Sequence, residues 1–262
     1  MISAYDSATG VVTLTTALEY EHFGAAAAET HTEGGSTYSY DLRAEVGHLT
    51  RNVVIQGNEG ERWGGQIVVV DFTDAESEII YAGYAQLKNV QLRRMSQYDT
   101  SRAAIRFEKS GTSTDAKGSV IERCSIANSP AWAIAINRAK NIQIKDTVIY
   151  ETHRNAIKIE GVTDFTMTGN LIMKNSEREW DNSIKLKDHQ FAIDLCSGEV
   201  VTNCVNMRVQ NNILAGGKGG GWLIPAGDCN NESTTEEYFK NNVVHAMQVG
   251  LILHIDQAIG AG

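Results

Sequence analysis

The chain has 262 residues, 42% hydrophobic and 21% charged, with a formal net charge of −9; this suits a continuous core and argues against intrinsic disorder. With 32 acidic against 23 basic residues and no Lys/Arg cluster longer than a pair, the surface should repel phosphate backbones, so no nucleic acid is expected as a partner. No apolar run reaches the ~18 residues that cross a bilayer, and the start MISAYDSATG lacks the basic and apolar regions of an export signal, so the segment is expected neither to insert in a membrane nor to carry its own signal.

In chain order, residues 11–15 and 18–20 are strand-like, 25–41 read as a small polar loop, and 53–55 and 67–70 resume strands. Together they suggest N-terminal coils and cap-like strands over residues 1–80. Regular coils then fill 81–262 within a single domain spanning 1–262. Leu87 to Leu92 and then Ile105 to Phe107 form a first turn, and residues 111–118 (GTSTDAKG) are a loop by composition. From there an internal repeat dominates. Residues 121–126 (IERCSI), 144–149 (IKDTVI) and 167–172 (MTGNLI) follow one another at 23-residue steps, and the phase returns at 209–214 and 239–244. About thirteen residues after each start comes a second alternating run: 134–136, 157–159, 193–195, 222–224 and 251–253. Segments 176–188 and 226–237 are lateral insertions.

Alternation with period two and a wealth of Ile and Val mark these runs as short strands with one buried face. Strands this short are stable only when coil stacks on coil. The predicted fold is therefore all-β: a right-handed, single-stranded parallel β-helix with coils of about 23 residues and lateral loop insertions. Asn128, Gly161, Asn175, Gly216 and Gly250 suit the corners, and the presence of only 2 Pro agrees with ladders paired on both sides. One stacked position carries Cys124, Thr147, Asn170, Asn212 and Asn242 in successive coils. Asn170, Asn212 and Asn242 there suggest a structural amide ladder, with Cys124 a small buried neighbour rather than a nucleophile.

Of the four cysteines, Cys196 and Cys204 are the expected disulfide, pinning an irregular loop, although reduced thiols remain an alternative until the compartment is known. Asn231 heads an N-x-S sequon that is glycosylated only on a secreted protein. The seven histidines lack metal-ligand spacing, so no metal is expected. Residues 216–221 (GGKGGG) lack the G-K-[ST] ending of a phosphate loop and read as a tight corner. The outward positions of the second-strand sheet are Arg106, Ala135, Lys158, Asp194 and Leu223 in one row. Glu108, Asn137, Glu160, Cys196 and Pro225 make the next. Arg106, Glu108, Lys158, Glu160 and Asp194 are thus the candidate ligand-binding residues. Glu108 and Glu160 fall two turns apart, roughly 9.6 Å at the strand spacing, which is marginal for a pair of hydrolytic carboxylates. A lyase would need a carboxylate-held calcium and a base; outside that alternative no cofactor is expected. Surface ion pairing along a solvated face, Lys158 with Asp194 among them, is the simpler reading. Trp180 and Asp181, with Lys185, Lys187 and His189, read as an insertion packing on the barrel, with a sugar-stacking or partner patch as the alternative.

Residues 42–57 (LRAEVGHLTRNVVIQG), followed by Gly64, Gly65, Gln66 and Ile67, resemble the strand pair after the glycine-rich N-terminal module in the fibrocystin and fibrocystin-like family. That architecture is shared with the hyaluronan-binding, cell-migration-inducing proteins. Residues 211–217 (NNILAGG) and 239–245 (FKNNVVH) are similar to later coils of the same family. The resemblance implies a β-helix module of a large extracellular or cell-surface protein. Where hyaluronan-active relatives tend to carry His-Trp-His, this chain has Arg106, Phe107 and Glu108, and an earlier histidine is matched by Arg94. Arg stays protonated and accepts no proton, so inherited acid/base or metal chemistry is not expected. The expected function is a non-catalytic structural or adhesive module, with a polysaccharide-binding or polysaccharide-degrading protein as the alternative. Its expected partners are other modules of the same protein, copies of itself stacked end to end, or an extracellular glycan.

Overall fold

A computed structural model describes residues 2–20, 24, 28–41, 43–58, 62–98, 100–111, 117–175, 191–196, 204–225 and 238–254. Trp180, Asp181, Lys185, Lys187, His189, Cys229 and Asn231 lie outside the described residues, as do residues 260–262.

The chain divides into two compact units, Met1–Val46 and Gly47–Gly262. The first holds two antiparallel hairpins, Ile2–Tyr5 with Val12–Leu14 and Glu29–Glu33 with Ser36–Tyr40. This corrects the expectation of coil strands at 11–15 and 18–20 and of a loop at 25–41. The apolar residues here stay exposed, from Ile2 and Tyr5 to Leu14 and Leu18, so pairing follows local turn chemistry rather than a buried face. Asp6 sets the first turn, its carboxylate accepting from the Ala8 N–H (2.9 Å) and the Thr9 hydroxyl (2.7 Å).

The second unit is a stack of parallel strands on three faces. Sheet 1 contains Val53–Gln56, Val90–Arg93, Ser125–Ser129, Val148–Thr152, Leu171–Asn175, Ile213–Gly217 and Val243–His245, in that stacking order. Sheet 2 contains Ile67–Val70, Ile105–Glu108, 134–137, 157–160, Phe191–Leu195, Gly220–Pro225 and Val249–His254. Sheet 3 contains Gln86–Lys88, Ser119–Glu122, 142–145, 165–168, Cys204–Gln210 and Phe239–Lys240. The 12-residue strands Ile134–Lys145 and Ile157–Thr168 each run around the corner from sheet 2 to sheet 3. No helix occurs among the described residues. The fold is a parallel β-helix.

The 23-residue step is the length of one coil: Ile126 pairs with Ile149 and Ile149 with Ile172. Inward columns fill the bore. Ile105, Ile134, Ile157 and Ile193 stack in one column, Phe107, Ile136, Ile159 and Leu195 in the next, and all are at most 1% exposed. Each such side chain contributes about 1.5–3 kcal/mol by leaving water, which no isolated four-residue strand could gain.

Two sequence readings of the corners need correction. Runs such as 121–126 are not one strand but two, with a bend at Arg123 (φ 50°). The equivalent bend recurs at Asn89, Asp146, Gly169, Asn211 and Asn241, all with φ between 48° and 68°. Asn175 and Gly250 are not left-handed corners. The residue before Asn175, Lys174, takes φ 51°, and the Asn175 amide turns inward, donating to the Thr152 hydroxyl (2.6 Å) and the Arg154 carbonyl (2.5 Å). Gly250 is an ordinary residue of the strand Val249–His254.

Directly after the first bend runs the polar column. The Cys124 N–H donates to the Thr147 hydroxyl (3.3 Å), the Thr147 N–H to Asn170 Oδ1 (3.0 Å), the Asn170 N–H to Asn212 Oδ1 (3.1 Å) and the Asn212 N–H to Asn242 Oδ1 (3.1 Å). The amide nitrogens repeat the pattern at 2.9 Å, from Asn170 Nδ2 to Asn212 Oδ1 and from Asn212 Nδ2 to Asn242 Oδ1. The second amide proton goes back one coil, from Asn170 to Ile144 O, Asn212 to Met167 O and Asn242 to Val209 O. Buried polar groups are thereby satisfied along the column. The Cys124 thiol, fully buried and donating to the Leu87 and Glu122 carbonyls, has its pKa raised chiefly by burial, which suits packing rather than attack.

Candidate functional site

The candidate residues lie on the outer side of sheet 2, because period-two alternation that buries Ile105, Phe107, Ile157 and Ile159 turns Arg106, Glu108, Lys158 and Glu160 outward. Register brings them together. Arg106 pairs with Ala135, Ala135 with Lys158 and Lys158 with Asp194, while Glu108 and Glu160 flank Asn137 on either side. Ala135 leaves a notch between two long cationic side chains. The resulting cleft of about 160 Å³ is lined by Ser101, Arg106, Glu108, Trp132, Ala135 and Lys158 among others.

Its charges are engaged with one another. Arg106 donates through Nε (3.0 Å) and Nη2 (2.7 Å) to Glu108 Oε2, and Asn137 Nδ2 donates to Glu108 Oε1 (2.8 Å). Lys158 Nζ lies 2.5 Å from Asp194 Oδ2 and 3.8 Å from Glu160 Oε1. The expectation of a solvated face fails here: the Lys158 and Asp194 side chains are only 14% and 6% exposed, and Ala135, Leu223 and Trp132 are buried beside them. This is a desolvated pair, not a surface one, and removing either partner would strand a charge. Cys196, placed by phase in the outward row, instead occupies a corner at φ 61° and is disulfide-bonded to Cys204. It ties the end of a sheet 2 strand to the start of the next sheet 3 strand.

Trp132, Ser101 and Arg154 escaped the sequence reading. Trp132 forms a small apolar cluster with Ala103 and Ala135 outside the bore, and the Arg154 guanidinium stacks 6.0 Å from its ring while donating to the Thr100 carbonyl (3.2 Å). The signal was weak: in the run Ala131, Trp132, Ala133, Ile134, a tryptophan looks like bore filling. Beside this cluster, burial pushes the His153 imidazole pKa down, with Arg62 adding to the effect. Among the described residues no group of three or more His, Cys, Asp or Glu could hold a metal ion.

The segment most specific in the sequence has a packing role. A side chain on Gly57 or Gly64 would place its Cβ 2.1 or 2.0 Å from the carbonyl oxygen of Arg94, and the Gly57 N–H donates to Arg93 O (2.9 Å). Arg94 is a left-handed corner at φ 52°.

Three parallel sheets wound around an aliphatic bore, with one walled and charged outer face, define a parallel β-helix protein. The chain belongs to the CEMIP β-helix family, whose profile matches residues 77–252. Fibrocystin-L of Mus musculus is 26% identical over 256 residues, covering 94% of this chain and 6% of that protein. Fibrocystin of Mus musculus is 27% identical over 242 residues, covering 90% and 5%. Cell surface hyaluronidase CEMIP2 of Homo sapiens is 30% identical over 132 residues, covering 43% and 9%. The chain thus spans under a tenth of the length of each. No solved structure matches significantly.

Proposed function

We propose that the chain is an extracellular β-helix module with a structural or adhesive role rather than a catalytic one. The observation that carries this reading is the mutual neutralisation on sheet 2. Glu108 accepts three hydrogen bonds from Arg106 and Asn137, and Lys158 is held at Asp194. A hydrolase needs one carboxyl that exchanges its proton and a second that attacks or activates water. A lyase needs an unprotonated base. Groups already held in salt bridges and hydrogen bonds to one another suit neither task. The Cys196–Cys204 disulfide supports an oxidising, extracellular setting, as does the cell-surface description of the CEMIP2 relative.

A second reading, glycan binding, draws on the cleft over Ala135 with its Trp132 wall and on the hyaluronidase in the CEMIP2 relative's name. Incubation with hyaluronan, pectate and alginate fragments, with and without calcium, separates the readings. No cleavage is expected from the chain or from its Glu108→Gln and Glu160→Gln variants. Cleavage by the chain that either substitution abolishes overturns the structural role. Binding without cleavage favours the second reading.

A further inference from the structure

The chain has no Lys/Arg cluster longer than a pair, yet the fold gathers one from separate segments. On the first three strands of sheet 3, the alternation that buries Ile121 and Ile144 turns Lys88, Glu122 and Lys145 outward, in register with one another. Lys88 Nζ lies 3.0 Å from Glu122 Oε2, and Arg123 at the bend places Nη1 2.6 Å from Glu122 Oε1. The Glu122 carboxyl is held below its ordinary pKa chiefly by the Lys88 hydrogen bond, with the Arg123 and Lys145 charges adding to it against partial desolvation. Three cations thus converge on a single carboxylate. Lys88 and Arg123 are more open to solvent than it is, with side chains 49% and 53% exposed against 20% for Glu122. Exposed Lys117 and Lys140 extend the same charge toward sheet 2, while Asp146, at the next bend, turns its Oδ1 toward Gly169 of the following coil. The net charge of −9 does not cancel this patch, because charges farther than about 8 Å are largely screened at physiological ionic strength. An approaching anion meets the local cations.

We infer that this face of sheet 3 is a binding surface for a sulfated polysaccharide laid across the strands. Stacking at about 4.8 Å per coil sets Lys88 and Lys145 roughly 9.6 Å apart, so a linear polyanion crossing the strands meets one cation after another. A protein partner needs an apolar centre to its interface, whereas the outward residues of these strands are Gln86, Lys88, Glu122, Gln143 and Lys145, with Val120 the one apolar side chain. A nucleic acid strand needs aromatic platforms for its bases. None faces outward on these strands, and the ring of Tyr84, just before them, is covered by Lys117 Nζ at 5.4 Å. Lysine ammoniums are point charges suited to tetrahedral sulfate. The one guanidinium of the group, Arg123, is already turned to Glu122 and to Asn89 Oδ1 (3.2 Å), so the fork that favours planar carboxylates is taken. The ligand is therefore sulfated rather than carboxylated alone. The inference concerns a different face from that of sheet 2 and depends on neither reading of it.

The probe is heparin, titrated against the intact chain by isothermal calorimetry, with hyaluronan, polyglutamate and single-stranded DNA as comparison polyanions. Saturable heparin binding is expected, weakening about tenfold between about 50 and about 200 mM salt, as for a ligand that neutralises a few cations. Lys88→Gln and Lys145→Gln should each weaken it about threefold and together about tenfold, in line with exposed charge pairs, with unchanged circular dichroism. Glu122→Gln, which removes the competing carboxylate, should strengthen binding about threefold; a merely structural ion pair would leave the affinity unmoved. Absence of heparin binding, or binding indifferent to both lysine variants, overturns the surface. Equal affinity for polyglutamate or DNA overturns the choice of a polysaccharide, and equal affinity for hyaluronan overturns that of sulfate. Heparin binding lost in Arg106→Gln but kept in Lys88→Gln and Lys145→Gln transfers the ligand to sheet 2, overturning this inference while supporting the glycan reading there.

Discussion

His153 shows how one side chain reports its surroundings. Its neutral form is favoured in the fold, because burial and then the Arg62 charge both oppose protonation, with Glu151 acting the other way. Its pKa is therefore depressed below the ordinary 6.5. Stability from this group is present above about pH 6.5 and is lost as pH falls through the depressed folded value, since the unfolded chain takes up the proton first. Melting temperatures measured from pH 7.5 to 5 should fall, and His153→Gln should flatten that dependence. An unchanged slope in the variant would assign the acid sensitivity elsewhere. Single residues were also where the sequence was least legible. Arg123, Glu151 and Lys174 all adopt left-handed backbone, yet none is a usual turn residue. The cost is offset by stacking: Glu151, for instance, accepts from Asn128 Nδ2 (2.7 Å) and pairs with Lys174 (2.9 Å) across adjacent coils. Reading corners from Gly and Asn alone found Asn128, Gly161 and Gly216 and missed these.

At the level of elements, period-two alternation located strands well and their boundaries badly. The third sheet was hidden because each six-residue run reads as one strand, yet Ile121 and Ile126 both face the bore although they stand an odd number of positions apart: the bend at Arg123 resets the period-two phase between them. The polar column was legible because it repeats one residue type at one phase. It also makes a quantitative prediction. Asn212→Leu removes the acceptor of the Asn170 N–H and Nδ2 and the donor to Met167 O, leaving buried groups that each cost about 1–3 kcal/mol when unpaired. Urea unfolding should lose at least 2 kcal/mol in ΔG, roughly the penalty for two such groups, whereas Asn212→Thr, which keeps an acceptor at this position as Thr147 does for the Cys124 N–H, should lose less. Equal losses would mean that volume and not hydrogen bonding sets the cost. The candidate site was half legible: alternation named Arg106, Glu108, Lys158, Glu160 and Asp194, but periodicity carries no information on what covers a face, so their burial and the Trp132 wall did not appear.

For the molecule as a whole, the continuous run of strand-like segments is shared between two compact units. The hairpins of Met1–Val46 alternate much as the coils do but bury nothing comparable. Within the β-helix, the Cys196–Cys204 bond closes a loop with a sequence separation of 8, which by chain entropy contributes about 2–3 kcal/mol. Cys196→Ser, Cys204→Ser and the double variant should therefore lower the melting temperature equally, and a reducing agent should lower it for the unaltered chain alone. Unequal single variants would point to packing of one thiol.

Since the Asn170 and Asn212 rungs are each finished by the one that comes after, the column is vectorial, like a zip with a single slider. A chain leaving the ribosome amino end first would present, after each coil, a row of waiting amides and a greasy lip shaped for the next. Consolidation would then follow the order of synthesis, and a coil supplied out of turn would meet a neighbour whose donors were already spoken for.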